Sequence, residues 1–451
     1  MNASTLDGYV GDSLYPSSFH MAFSPPWVDA MLRRRRIKSP RVDRPDFTMA
    51  DIGCGDGLGL ILQAAAYPDS RFVGIDAMPE HIERGIAIIT ELGLTNIELR
   101  CQTFKQALES DPIKADYIAV QGVWSWVSQE NQQALLALVS GSLNSGGVAT
   151  LGYNSMPGWG PIAAFQKLIQ SLSLDQPGTP NERFEAALKK ARSASKVGMK
   201  ALSTGQFDWF DDQRENLPKD YVAHEYLNQH WQPLWSGEAI DQANGYGLIF
   251  QCSSMANRLR DDFIFKAAQR EQLTDIDNPA AREIMADLFL NCWFRTDIFS
   301  KGELASLSEQ DSQSQRLATY WMAVGPKPEA ALSVKTTAGV LRFDNAAAHH
   351  ILDQLENGPA SLNTILSADA PGTKADILNT IDSLFFAWLV RPVDPPQLSG
   401  AIEQINDWLA HIEANGTTMN AIVSPHGAIS VKRGEISAAL TDGAMRKRMG
   451  L

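Results

Sequence analysis

Asp51-Ile52-Gly53-Cys54-Gly55-Asp56-Gly57 decides how this 451-residue chain is read. The apolar run FTMADIG (47–53) leads into it, and LGLILQAAAY (58–67), apolar at helical spacing, leads out. A short apolar run, a glycine-rich turn and a helix, in that order, form the first half of a crossover unit. The second half follows at once. RFVGID (71–76) is a strand ending in an acid, and MPEHIERGIAIITELG (78–93) is a helix. NIELRC (96–101), DYIAVQ (116–121) and GGVATLGY (146–153) supply three more strands, with the amphipathic NQQALLALVSGSL (131–143) between the last two. Strands alternating with helices predict an α/β unit on a parallel sheet.

The turn also carries chemistry. Its glycines let the backbone approach a ligand without Cβ interference and aim helix N–H groups at it. Asp51 before the glycines and Asp56 after them disfavour a pyrophosphate and favour a cation. Asp76 stands at the tip of the second strand, 25 positions after Asp51, where a carboxylate takes the two hydroxyls of a ribose. A cationic nucleoside with a free ribose, S-adenosylmethionine, fits this pair better than a dinucleotide.

With these residues the chain resembles the class I methyltransferases. Further stretches narrow the resemblance: YPSSF (15–19), GVWSWVS (122–128), LGYNSMPGW (151–159), HEYL (224–227), FRTDIFSKG (294–302) and IVSPHGA (422–428). In order, they are similar to the family that carries a methyltransferase regulatory domain and includes bacterial protein-lysine methyltransferases. The resemblance implies a Rossmann-like core that binds S-adenosylmethionine. Asp51, Gly53 and Gly55 would hold the methionine part, Asp76 the ribose, and Ala77, Met78, Gln102, Thr103 and Phe104 the adenine region. Gln121 and Gly122 would approach the sulfonium, and Tyr9 and Tyr15 would close over the donor. The implied catalytic residues are Tyr153, Asn154 and Trp124, at or after the fourth and fifth strands. Gln121 stands where the family pattern implies His, and Trp124 where it implies Tyr.

The rest of the chain divides by pattern. Residues 1–160 read as the donor-binding core with an N-terminal lid. Residues 161–330 read as a helical insertion and middle domain, with a late core strand near 247–254 and helix through 279–320. Residues 331–451 read as a winged-helix-like domain after a Pro-containing linker, VGPKPEAAL (324–332). Arg33–Arg36 with Lys38, Arg41 and Arg44 reads as a solvated helix end, and His224 with Glu225 as a structural pair.

Composition limits the partners. Net charge is −13, and segment 340–393 carries three basic against six acidic residues, so nucleic acid is not an expected partner. That unit suits protein docking or contact with a second copy, a homodimer. Four dispersed cysteines and eight histidines show no ligand spacing, so no metal site is expected. No apolar run approaches the ~18–20 residues of a membrane span, and no signal peptide is visible, so the expected location is cytoplasmic. More than half of the chain lies outside the donor-binding core. That bulk favours a protein acceptor, most simply a lysine nitrogen. A small-molecule or glycan O- or N-methyltransferase, and a donor-binding regulator without turnover, stay open.

Overall fold

The computed structural model describes residues 5–6, 9–10, 18–42, 45–214, 225–327, 332–343, 345–367, 369–417 and 419–451. Its centre is a seven-stranded sheet of β1 (Thr48–Ile52), β2 (Arg71–Asp76), β3 (Ile97–Cys101), β4 (Ala115–Gln121), β5 (Leu143–Asn154), β6 (Leu248–Ser253) and β7 (Phe294–Lys301). The strands run in the order β3-β2-β1-β4-β5-β7-β6. β1 to β5 are parallel, and β7 lies antiparallel between β5 and β6. Parallel strands buried on both faces need apolar side chains throughout. Met49, Ala50, Ile52, Phe72, Val73, Ile75 and Tyr117–Val120 meet that need. Chain order reverses between β1 and β4, which opens a crevice at their carboxyl ends.

The reading of helix through 279–320 is corrected here. A helix ends at Leu290, and residues 294–301 form β7, an interior strand next to the edge strand β6. The strand escaped the apolar pattern because two of its buried positions are charged: Arg295 is 1% exposed and Asp297 0%. Residues 160–214 are helical as expected, with Phe165, Phe184, Phe207, Phe210 and Tyr226 packed into their own aromatic core.

The C-terminal region follows the expected order of strand (Gly339–Arg342), helix (Ala346–Leu355), short helix (Leu362–Ser367), helix (Lys374–Phe386) and strand (Val390–Val393, β10). Its three-stranded sheet is centred on an upstream strand, β8 (Tyr320–Ala323), between β10 and the short β9 (Ala360–Ser361). A hairpin, β11 (Ala421–Ser424) and β12 (Gly427–Ser430), then packs on helix α2 (Leu58–Ala66). One continuous apolar core joins this region to the N-terminal helix α1 (Pro25–Arg34) and to α2.

Ion pairs reinforce that joint, and they correct the reading of the basic run. Arg34 is almost buried, pairs with Asp382 and lies over the Trp321 ring, 5.4 Å from its centroid. Arg33 donates to Thr319 Oγ1 (3.1 Å). Arg41 bridges Asp29 (2.7 Å) and Asp394 (2.6 and 2.8 Å). Of the described residues of the run, Arg35, Arg36 and Lys38 are exposed. Of the pair at 224–225, His224 lies outside the described residues and Glu225 is buried. Among the described residues no helix is long and apolar enough to cross a membrane, and no group of three His, Cys, Asp or Glu could hold a metal.

Candidate active site

The carboxyl ends of β1, β2 and β4, with the turn after β3, open onto a cavity of about 1250 Å³. Asp51, Gly53 and Gly55 line it from the β1–α2 turn, and Asp76, Ala77 and Met78 from the end of β2. Thr103 and Phe104 line it after β3, and Gln121 and Gly122 after β4. Ten of the expected donor residues therefore share one space. Gln102 does not line it, although its N–H bonds the Asp76 carbonyl (2.9 Å). Tyr15 lies outside the described residues, and for Tyr9 only the backbone pairing with Leu6 is described.

The turn has the backbone only glycine adopts readily. Gly53 has φ +80° and Gly55 φ +59°. A Cβ on Gly53 would stand 2.4 Å from a Val123 methyl, whereas one on Gly55 would meet nothing within 4 Å, leaving room for a ligand. Asp76 locks the turn to β2. Its Oδ2 accepts the Gly55 N–H and its Oδ1 the Met78 N–H, both at 2.9 Å. Oδ2 keeps a further lone pair. His81 Nδ1 lies 3.5 Å from Asp76 Oδ1, and hydrogen bonding to Asp76 raises the imidazole above its usual pKa.

Asp51 is the anomaly. Burial first, and repulsion from Asp76 second, push its carboxyl up to about 7, and its Oδ1 is buried with no hydrogen-bond partner. A carboxylate kept dry and unpaired at a cavity wall is complementary to a cation. Burial raises the neighbouring Cys54 thiol well above its ordinary value, so it stays a neutral thiol.

The three expected catalytic side chains are placed elsewhere, which corrects that reading. Trp124 and Tyr153 are 0% exposed, pack edge to face at 5.4 Å and lie in the sheet core. The Tyr153 hydroxyl donates to Asp297 Oδ2 (2.6 Å). Asn154 is buried, and its N–H donates to Ser125 Oγ (2.8 Å). None of the three lines the cavity. For Tyr153, strand alternation is the reason. A Cβ on Gly152 would point at Phe23 and Phe294, both in the cavity wall, so Tyr153 faces the opposite way.

Other residues complete the wall. Phe23 and Trp27 come from the N-terminal segment, Trp126 from the turn after β4, and Met255, Phe294 and Thr296 from beside β6 and β7. Trp388, Arg391 and Lys432 come from the C-terminal region. The aromatic GVWSWVS and FRTDIFSKG stretches signalled Trp126 and Phe294; nothing local signalled Arg391. Phe294 and Trp388 are 43% and 42% exposed, so the cavity reaches the surface between aromatic side chains.

Comparison with known proteins agrees with this geometry. Residues 49–147 match the model of a methyltransferase domain, and residues 218–301 that of a predicted methyltransferase regulatory domain. The chain is an S-adenosylmethionine-dependent methyltransferase. This methyltransferase is 27% identical to the uncharacterized protein sll1526 of Synechocystis over 83% of its own length and 74% of the relative's. It is 28% identical to the uncharacterized protein RP028 of Rickettsia prowazekii, over 48% of its own length and 85% of that protein's. Its fold matches that of PKMT2 from Rickettsia typhi in complex with AdoHcy, with TM-score 0.69 and 20% identity over 94% of this chain and 87% of the other. The residues present fit such a donor: the methyltransferase holds a buried, unpartnered carboxylate oxygen at Asp51 beside the side-chain-free opening at Gly55.

Proposed function

We propose that this methyltransferase modifies lysine nitrogen on a protein. The observation that carries the reading is the cavity. At about 1250 Å³ it exceeds the roughly 300–1,000 Å³ typical of a small-ligand site, and it reaches the surface past Phe294 and Trp388. The match in fold to Rickettsia typhi PKMT2, a protein-lysine methyltransferase, supports it.

The bound donor supplies an already activated methyl group on a sulfonium, so the protein's task is positioning and electrostatics. Asp51 would face the donor's positive charge, Gly53 and Gly55 would admit its amino-acid part, and Asp76 would take ribose hydroxyls; all four line the cavity. Ala77, Met78, Thr103 and Phe104, which line the cavity, would flank the adenine, and Gln121 and Gly122 would lie beside the sulfonium. A lysine amine has an ordinary pKa near 10.4 and reacts only when neutral. The aromatic rim of Trp126, Phe294 and Trp388 desolvates it and favours that form. The same rings then attract the methylated ammonium product.

The test is incubation of the full chain with tritiated donor and cell lysate, followed by separation of proteins from small molecules. Label on a protein band that maps to lysine is the expected result. Label confined to small molecules would overturn the reading.

A further inference from the structure

The cavity has a second wall, remote in sequence from the donor residues. Arg391, on β10, lines it, and only 6% of this residue is exposed. Its Nη1 donates to the Ser430 carbonyl oxygen (2.9 Å) and lies 3.0 Å from the Met21 sulfur. Its Nε is buried with no hydrogen-bond partner. Burial alone moves its pKa, down to about 10, and among the described residues no acid raises it again.

The molecule's other buried arginines are treated differently. Arg34 has Asp382, Arg41 has Asp29 and Asp394, and Arg295 has Glu283, Asp287 and Asp297. The two other cations on this wall are also neutralised, Lys432 by Glu435 (3.0 Å) and Arg448 by Glu356 (3.3 Å). Among the described residues of this wall, Arg391 alone keeps its charge for something else. An uncompensated buried guanidinium costs several kcal/mol, and its planar fork is matched by the two oxygens of a carboxylate.

We infer that Arg391 is the anchor of an acceptor subsite and binds an aspartate or glutamate side chain that flanks the target lysine. The inference rests on the protein-acceptor reading above. It answers what the extra cavity volume accommodates: the donor residues Asp51 to Gly122 occupy the sheet's strand ends, while Arg391 belongs to the C-terminal sheet. The donor's own carboxylate has the same chemistry, so the experiment separates the two sources.

Two synthetic peptides, a lysine flanked by glutamates and the same lysine flanked by glutamines, are titrated by calorimetry into the full chain saturated with S-adenosylhomocysteine. The wild type is expected to bind the glutamate peptide at least tenfold more tightly. Arg391→Met is expected to erase that preference while keeping donor-product affinity within about twofold and melting no lower than wild type. Arg391→Lys, which keeps the charge but loses the fork, is expected to retain part of the preference. Equal binding of both peptides by the wild type overturns the inference, and so does a preference that survives in Arg391→Met. A tenfold loss of S-adenosylhomocysteine affinity in Arg391→Met, with no peptide preference in the wild type, assigns the subsite to the donor instead. Because peptide binding needs no turnover, failure of this subsite is distinguishable from failure of lysine transfer, which the tritium experiment reads.

Discussion

Two clusters of buried ionisable groups sit on opposite sides of the same sheet region, and only one of them is closed. At β7, Arg295 bonds Asp297 (2.8 and 2.9 Å), Asp287 (2.9 and 3.0 Å) and Glu283 (2.8 Å), and the Tyr153 hydroxyl adds a further bond to Asp297. At the end of β1, Asp51 has a buried oxygen with no partner and a second carboxylate, Asp76, near enough to raise its pKa. A buried polar network that satisfies its own members holds elements together. One that leaves a charge unanswered stores a binding free energy for a ligand. Burial and charge alone do not separate the two; the hydrogen bonds each group has already made do.

Perturbing each cluster sharpens the contrast. The largest effect is expected from Arg295→Met, which leaves Asp297 buried without its counter-charge and Asp287 with Arg258 alone. Chemical denaturation should show a loss of about 3–5 kcal/mol, and a variant as stable as wild type would break the comparison. Asp51→Asn should do the reverse, weakening S-adenosylmethionine binding about 100-fold (about 2.7 kcal/mol) with no drop in melting temperature. Calorimetry and a thermal melt on one sample check both halves.

Acidity gives a smaller, graded version. With the Asp51 carboxyl at about 7, donor affinity should fall about tenfold between pH 8 and pH 6, and Asp51→Asn should flatten that profile. The stability consequence has the opposite sign from that of a paired acid. Because burial raises Asp51, the native state holds its proton longer than the unfolded chain does. Its ionisation therefore costs nothing below about pH 4, and stability declines as pH rises from about 4 towards 7. The smallest effect belongs to Tyr153→Phe. It removes one of several bonds to Asp297, so about 1 kcal/mol of stability should be lost while donor affinity stays unchanged. A large loss of transfer with stability intact would return Tyr153 to the chemistry.

The legible parts of the molecule were those built from consecutive residues. Asp51, Gly53, Gly55 and Asp76 could be placed together because one strand–turn–helix–strand unit brings successive strand ends to the same edge. β7 was hidden because Arg295 and Asp297 break the apolar pattern of a central strand, and their partners Glu283 and Asp287 come from a different element. Tyr153 was put at the correct strand end and on the wrong face: residue 152 or 153 could have faced the cavity, and only the observed packing of Phe23 and Phe294 over Gly152 decides between them. The Arg33–Arg36 run looked solvated because charge runs usually are, yet Asp382 and Thr319 reach it from some 290–350 positions away.

The sequence alone determined the donor side: a parallel α/β sheet, a glycine turn that lets a ligand approach the backbone, and two carboxylates suited to a cationic nucleoside. Those features are local, set by side-chain period and by residues fewer than 30 apart. Only the tertiary structure decided the second wall. Met21, Arg391 and Ser430 meet because the C-terminal sheet and hairpin bury apolar surface against α1 and α2, and burial does not depend on sequence separation. That packing leaves a guanidinium without a carboxylate, and the donor's chemistry gave no reason to look for one there.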